Sequence, residues 1–339
     1  MTNMIQLSGQ KGGGQILRSA LTLSMITGQA FHLKQIRGAR PKPGLARQHL
    51  TCVKAAAEVC NGSVDGAEMG STEIIFNPGE VTSGDYNFAI GTAGSTTLLA
   101  QTLLPAFWQT KGESTLTLEG GTHNPMAPPM DYLTRVYLPV LKKMGITVEP
   151  SLERFGFVPG GGGLIRFDIP GSQKAKPINI LERGEEIERR IHCLNAKIPD
   201  DIARRETSAL LDELNWLDNC VFIESPENSD CPGNVLAAEI TYTNVTERVT
   251  AFGSHGKTSK RVAKEVAKMM QNYLNSEAVI GRNLADQLLL PMALAGSGKI
   301  HTSAPSNHVK TNIQVIETFL PVKFEVEALL RGCHFISVR

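Results

Sequence analysis

Apolar positions recur along this chain in one order, three times. Residues 16–27 (ILRSALTLSMIT) are apolar almost throughout and stop at Gly28; a β-rich run at 30–36, a basic Pro-containing loop at 37–44 and an amphipathic stretch at 45–60 follow. The order returns as 97–110 before Gly112, an alternating run at 114–118, a Pro-rich loop at 120–129, a helical pattern at 131–144 and a β-rich triplet at 146–148. Its third copy is 286–295 before Gly296, 299–303, the loop 304–308, then 313–319 and 322–326. Spacing near 3.6 predicts helices, alternation predicts strands, and glycine directly after a helical run suits a left-handed C-cap. The pattern therefore predicts an α/β (α+β) fold with one helix–strand–loop–helix–strand unit written three times. If the units fold alike, their three strand-to-helix loops stand at equivalent ends, where ligands usually bind.

Between the second and third units the character changes. After the glycine-rich turn 159–163, a strand at 164–169 and a loose run at 170–177, charged residues become frequent. The pattern predicts strand 187–194, helix 200–215, strand 220–225, a Pro-Gly turn, strands 234–243 and 248–253, and helix 260–274. A block of four strands and two helices inside a repeat predicts an insert domain over 181–275, with 1–180 and 276–339 forming the large domain.

Composition narrows the function classes. A hydrophobic content of 41% in 339 residues is enough to fill two cores and excludes a disordered chain. Thirty-four Lys and Arg against 33 Asp and Glu leave no global positive field, so any nucleic-acid contact is local. Cys52, Cys60, Cys193, Cys220, Cys231 and Cys333 form no CxxC pair and no cluster with histidine, which predicts reduced thiols and no structural zinc. There is no run of 18 apolar residues and no charged start followed by an apolar stretch, so a cytoplasmic protein without a membrane span is expected.

Seven ordered blocks carry the specific signal: GGGQILRSA at 12–20, IRGARPKPGLARQHL at 36–50, AIGTAGSTTLLAQTLLPA at 89–106, NPMAPPMD at 124–131, GFVPGGGG at 156–163, LADQLLLPMALAG at 284–296 and PSNHVKTN at 305–312. Along nearly its whole length the chain resembles the RNA 3'-terminal phosphate cyclases. That resemblance implies a large domain of three βα units like the C-terminal domain of translation initiation factor three, with a thioredoxin-like insert. It also implies ATP as a substrate, RNA 3'-phosphate ends as the partner, and three steps: transfer of AMP to a histidine, transfer of AMP to the RNA phosphate, and attack by the 2'-OH to give a 2',3'-cyclic phosphate. A terminal phosphate has no good leaving group, and a covalent AMP intermediate supplies one.

On this resemblance His308 is the nucleophile; a neutral imidazole keeps a lone pair near pH 7. Gln101, Pro129, Asn283, Leu284, Ala285, Asp286 and Gln287 match the family's ATP contacts, Pro129 as an apolar wall for the base. Arg18, Arg37, Arg40 and Gln48 match the set that holds the RNA phosphate, with Lys42 and Arg47 beside them; arginine forks bind phosphate oxygens in pairs. His49 and His123 are weaker candidates for phosphate or RNA, and His301 stands near a loop of interest. Gly12, Gly13 and Gly14 offer backbone N–H groups to phosphate.

Three positions depart from the family. Lys11 stands where an acidic residue usually precedes the glycines, and an ammonium cannot ligate Mg²⁺ or Mn²⁺, so the protein ligand of any divalent cation is unknown. Asn283 replaces an aromatic ring, and Phe155 a basic residue. Two other readings are open at this stage: a non-catalytic cyclase-like RNA-binding protein, which would lack the histidine, and an enolpyruvyl transferase, which would leave PSNHVKTN unexplained.

Overall fold

The computed structural model describes residues 4–339. The first unit runs β1 (Ile5–Ser8), α1 (Gln15–Thr27), β2 (Phe31–Lys34), α2 (Arg47–Val59), β3 (Ser63–Asp65) and β4 (Ile74–Asn77). The second runs β5 (Asp85–Ala89), α3 (Thr96–Phe107), β6 (Ser114–Gly120), a helix of three parts, β7 (Glu149–Arg154) and β8 (Gly163–Ile169). The three parts are α4 (Met130–Tyr132), a π-turn at Leu133–Tyr137 and α5 (Leu138–Lys143). Pro139 has no N–H for the carbonyl four residues back, and the π-turn falls where the α ladder loses that bond. The third unit opens with β9 (Ile178–Ile180). An insert follows: β10 (Glu186–Ala196), α6 (Asp200–Leu214), β11 (Val221–Glu224), β12 (Gly233–Tyr242), β13 (Thr246–Phe252) and α7 (Ser259–Leu274). The unit then resumes with α8 (Arg282–Ala295), β14 (Gly298–Ser303), α9 (Asn307–Phe319), β15 (Phe324–Ala328) and β16 (Cys333–Val338).

Three of the four sheets share one topology: β1-β2-β4-β3, β5-β6-β8-β7 and β9-β14-β16-β15. In each, the first two strands pair parallel and the other pairs are antiparallel. A parallel pair needs a crossover, and α1, α3 and α8 are those crossovers. The repeat is thus β-α-β-α-β-β, one strand longer at each end than the apolar pattern shows. The triplet at 146–148 forms no strand; chain pairing begins at Glu149. The last loop is also shorter than its pattern suggests, because Ser306 caps α9 by accepting from the Val309 N–H, which places His308 in the helix's first turn.

The crossover helices are the most apolar ones, and most of their surface is packed in the shared core. Leu17, Leu21, Leu99, Leu103, Leu288 and Leu289 are all 1% exposed or less, in one core with Phe31, Phe76, Ile300 and Ile316. Gly28 and Gly296 close α1 and α8 at φ 70° and 72°, which a Cβ would resist. A separate core, including Ile191, Leu210, Leu236, Val262, Val266 and Met270, fills the insert between its sheet (β11-β10-β12-β13) and helices α6 and α7. All six cysteines are free thiols. Among the described residues no helix is long and apolar enough to cross a membrane.

Candidate active site

The N-terminal turns of α1, α3, α8 and α9 open onto one cleft of about 410 Å³, within the size range of small-molecule sites. Each unit contributes. Gln15 and Arg18 come from α1, Leu98 and Gln101 from α3, Asn283, Asp286 and Gln287 from α8, and His308 and Asn312 from α9. The Pro-rich loop supplies Pro125–Pro129 as a further wall.

The floor is a hydrogen-bonded relay across helices that are distant in sequence. Gln15 Nε2 donates to Asp286 Oδ1 at 2.7 Å, Asn312 Nδ2 lies 3.4 Å from the same oxygen, and Ser19 Oγ donates to Asn312 Oδ1 at 2.7 Å. Gln101 Nε2 donates to Gln287 Oε1 at 2.8 Å. Burial raises the Asp286 carboxyl above its ordinary range, while Gln15, His308, Asn312 and Arg18 pull the other way. The His308 ring is exposed at the cleft and makes no hydrogen bond to any described residue, so both its nitrogens are free for a substrate.

Beside Arg18, Arg37 and Arg40 add positive charge around His49. Arg40 approaches to 3.2 Å from where a Cβ on Gly13 would stand, and a Cβ on Gly14 would collide with the His49 ring and lie 2.9 Å from Arg18 Nη1. The glycine triplet is therefore the space these side chains occupy. Burial, then the charges of Arg18, Arg37 and Arg40, holds His49 down to about 3, so it is neutral at any physiological pH. Burial also lowers Arg18, and burial followed by Arg40 lowers Arg37. The charge of Asp286 supports Arg18, whereas Arg40 works against the charge of Arg37, and an anion beside that pair would relieve the repulsion.

Several expected residues fall elsewhere. Leu284 and Ala285 are 0% and 1% exposed and their side chains pack into the core, since they lie on the opposite face of α8 from Asn283, Asp286 and Gln287; only their backbone is left to meet a nucleotide. Arg37, Arg40 and Gln48 do not line the cleft itself. Arg37 Nη1 donates to the Gly44 carbonyl at 2.8 Å, and Gln48 Oε1 accepts from the Ser95 N–H at 2.8 Å, fixing the start of α3. His123 is 1% exposed, stacked on Phe155 and tilted on Phe157 with ring centroids 5.5 Å from each, and its Nε2 lies 3.4 Å from Asp131 Oδ1. Phe155, unexpected from the family pattern, is one of the two rings that cover it. His301 is tilted on Phe335 in β14, away from the cleft.

The insert does not stand apart from the cleft, as its separate pattern suggests. Arg248, Val249, Thr250 and Phe252 of β13 and Met269 of α7 form one wall. A buried ionic network joins them to the large body. Arg248 Nη1 donates to Glu239 Oε2 at 2.9 Å, and its Nη2 donates to Asp131 Oδ2 at 3.0 Å and lies 3.0 Å from His192 Nδ1. Arg135 Nε donates to both Glu239 oxygens at 2.8 Å. Burial pushes Asp131 up, but hydrogen bonds from His123 and His192 and the charge of Arg248 outweigh it and hold Asp131 well below the ordinary carboxylate range.

These residues do not fit a resident divalent cation. No group of three His, Cys, Asp or Glu side chains among the described residues is placed to hold one. Lys11 is exposed and does not line the cleft, where Asp286 is the sole carboxylate.

A family model described as RNA 3'-terminal phosphate cyclase matches residues 9–326. Among solved structures, EPSP synthase from Acinetobacter baumannii aligns over 95% of this chain at 15% identity, with a TM-score of 0.28; the chain spans 62% of the length of that structure.

Proposed function

The chain belongs to the RNA 3'-terminal phosphate cyclase family, and from that premise we propose that it cyclises RNA 3'-phosphate ends with ATP through a covalent histidine–AMP intermediate. The observation that carries this is the unpartnered His308 ring in one cleft with Arg18, Asp286 and the Gln101–Gln287 pair. A ring nitrogen of His308 attacks the α-phosphorus of ATP, and the bond to pyrophosphate breaks. An oxygen of the RNA 3'-phosphate then attacks the same phosphorus and displaces the histidine, leaving RNA capped by AMP through a pyrophosphate link. The adjacent 2'-OH attacks the RNA phosphorus, loses its proton, and AMP departs. The cleft suits the nucleotide: Arg18 and the neighbouring Arg37–Arg40–His49 patch offer a phosphate end, and Pro129, Leu290 and Phe252 an apolar end for the base. The polar floor fixes orientation between them.

We read the three β-α-β-α-β-β units as related to the C-terminal domain of translation initiation factor three, the insert over 181–275 as thioredoxin-like, and 1–180 with 276–339 as the catalytic domain. The repeated sheet order and the insert's own core support that division. The test of function is chemical: a 3'-phosphorylated RNA incubated with ATP should yield a phosphatase-resistant 2',3'-cyclic end and equimolar AMP. Retention of the phosphomonoester with unconsumed ATP would sink the reading.

Lys11 allows a further check. An ammonium outside the cleft leaves a divalent cation to travel on the nucleotide phosphates alone. Lys11→Glu would place its carboxylate outside the cleft as well, so the Mg²⁺ or Mn²⁺ concentration needed for half-maximal pyrophosphate release should stay within about twofold of wild type. A clear drop in that concentration would show that this loop reaches the phosphates.

A further inference from the structure

Helix α8 carries the strip that faces the cleft, yet its own sequence leaves its first turn uncapped. The N-cap residue is Gly281, which has no side chain to offer, and the first turn holds no acidic residue. In a capping box the third helical residue reaches back to the N-cap N–H; here that residue is Leu284, which cannot. Glu247, on strand β13 of the insert and 34 positions away, takes the bond instead. Its Oε2 accepts from the Gly281 N–H at 2.9 Å, and the residue is 5% exposed. The approach depends on glycine: at φ −71° and ψ 162° any residue is comfortable, but a Cβ would collide with Glu247 Oε1. On its other side the same segment is held to β14, where the Ile280 N–H donates to the His301 carbonyl at 3.1 Å and Thr302 Oγ1 to the Ile280 carbonyl at 3.1 Å. The chain entering α8 is thus clamped between the catalytic sheet and the insert.

We propose that Glu247 is a positioning residue: the insert's carboxylate fixes the first turn of α8 and with it the placement of Asn283, Asp286 and Gln287 toward the nucleotide. The link to the nucleotide rests on the function proposed above. A carboxylate at a helix N-terminus is favoured by the helix dipole, so the ionised form holds best. Burial raises Glu247 to about 7, partly offset by the Gly281 N–H and Arg183; the phenols of Tyr132 and Tyr273 are the other titratable groups facing it. As pH falls through about 7 the carboxyl gains a proton and the clamp weakens, whereas ionising it as pH rises costs the fold stability.

The test compares wild type, Glu247→Leu, Glu247→Gln and Gly281→Ala in the full chain, reading amide exchange at Gly281 and the KM for ATP in covalent labelling. Glu247→Leu, which removes the acceptor, should exchange faster at Gly281 and raise the KM about tenfold, with labelling at saturating ATP kept within about twofold. Glu247→Gln, which keeps an acceptor without the charge, should recover most of the affinity at pH 8 and melt above wild type there. It should also lose the rise in KM that wild type shows from pH 8 to pH 6. If Glu247→Leu does not fold, Gly281→Ala, which displaces the carboxylate by collision, carries the same expectation. Wild-type exchange and KM in folded Glu247→Leu or Gly281→Ala would overturn the proposal. Absence of any label on wild type would remove the proposed function and the nucleotide link together, while exchange at Gly281 still judges the clamp by itself.

Discussion

His308→Ala should leave the chain unable to take acid-labile radioactivity from α-³²P-ATP, with a loss of more than about 10³-fold, the scale that follows removal of a covalent nucleophile. The expectation rests on position and on the absence of substitutes. His308 is exposed at the cleft, in the first turn of α9, with no described residue bonded to its ring. Its alanine replacement keeps Ser306 as the cap and does not touch the core, so the fold should stand. The other histidines near the loops are poorly placed to step in: His49 is half-buried among arginines, His123 is enclosed by Phe155 and Phe157, and His301 lies on β14 outside the cleft. The control is Asn312→Ala, which should weaken the relay to Asp286 yet leave the label detectable. Label persisting in His308→Ala at the wild-type level would move the nucleophile to another residue and would require a different reading of the cleft.

The repeat was legible because its crossover helices are apolar over most of their surface. They share one core, and ILRSALTLSMIT, TLLAQTLLPAF and DQLLLPMALA show it, interrupted only where a polar strip faces the cleft. The first strands of the second and third units were not legible. DYNFA and INI are short, and β5 and β9 stand at the ends of their sheets, where one neighbour strand and partial burial impose little pattern. Asp286, Gln287, Gln101 and Arg18 were named from family blocks, and the cleft does bring them together. Leu284 and Ala285 stand in the same motif, but the 3.6-residue period of α8 turns their side chains to the core while Asn283, Asp286 and Gln287 face the cleft. The wall made by β13 was hidden for the opposite reason. Arg248 and Glu247 are charged residues in a segment that reads as solvated, and nothing local tells that their partners, Asp131 and Gly281, come from 117 and 34 positions away.

Arg248→Met should destabilise the protein by about 3 kcal/mol in urea unfolding at pH 7, because removing one partner of a buried ion network leaves the others charged and unpaired. The side chains of Arg248 and Glu239 are each 1% exposed, so solvent cannot take over the lost bonds. Glu239 keeps Arg135, and Asp131 keeps His192 and His123, which places the cost below that of stranding a lone charge. Arg248→Lys should rescue little, since one ammonium cannot span Glu239 and Asp131 as the guanidinium fork does. The pH dependence has a defined sign. Asp131 and Glu239 are held below the ordinary carboxylate range in the folded protein, Asp131 for the reasons above and Glu239 because Arg135 and Arg248 outweigh its burial. Their contribution is fully present above about pH 5 and is lost as pH falls through the carboxylate range toward the folded values. In Arg248→Met that acid-side loss should shrink, since less of it remains to lose. Because β13 is both a strand of the network and a wall of the cleft, the same variant should lose affinity for ATP before it unfolds. A variant within about 0.5 kcal/mol of wild type, the range of ordinary surface substitutions, would mean that packing of β13, and not its charges, holds the insert against the cleft.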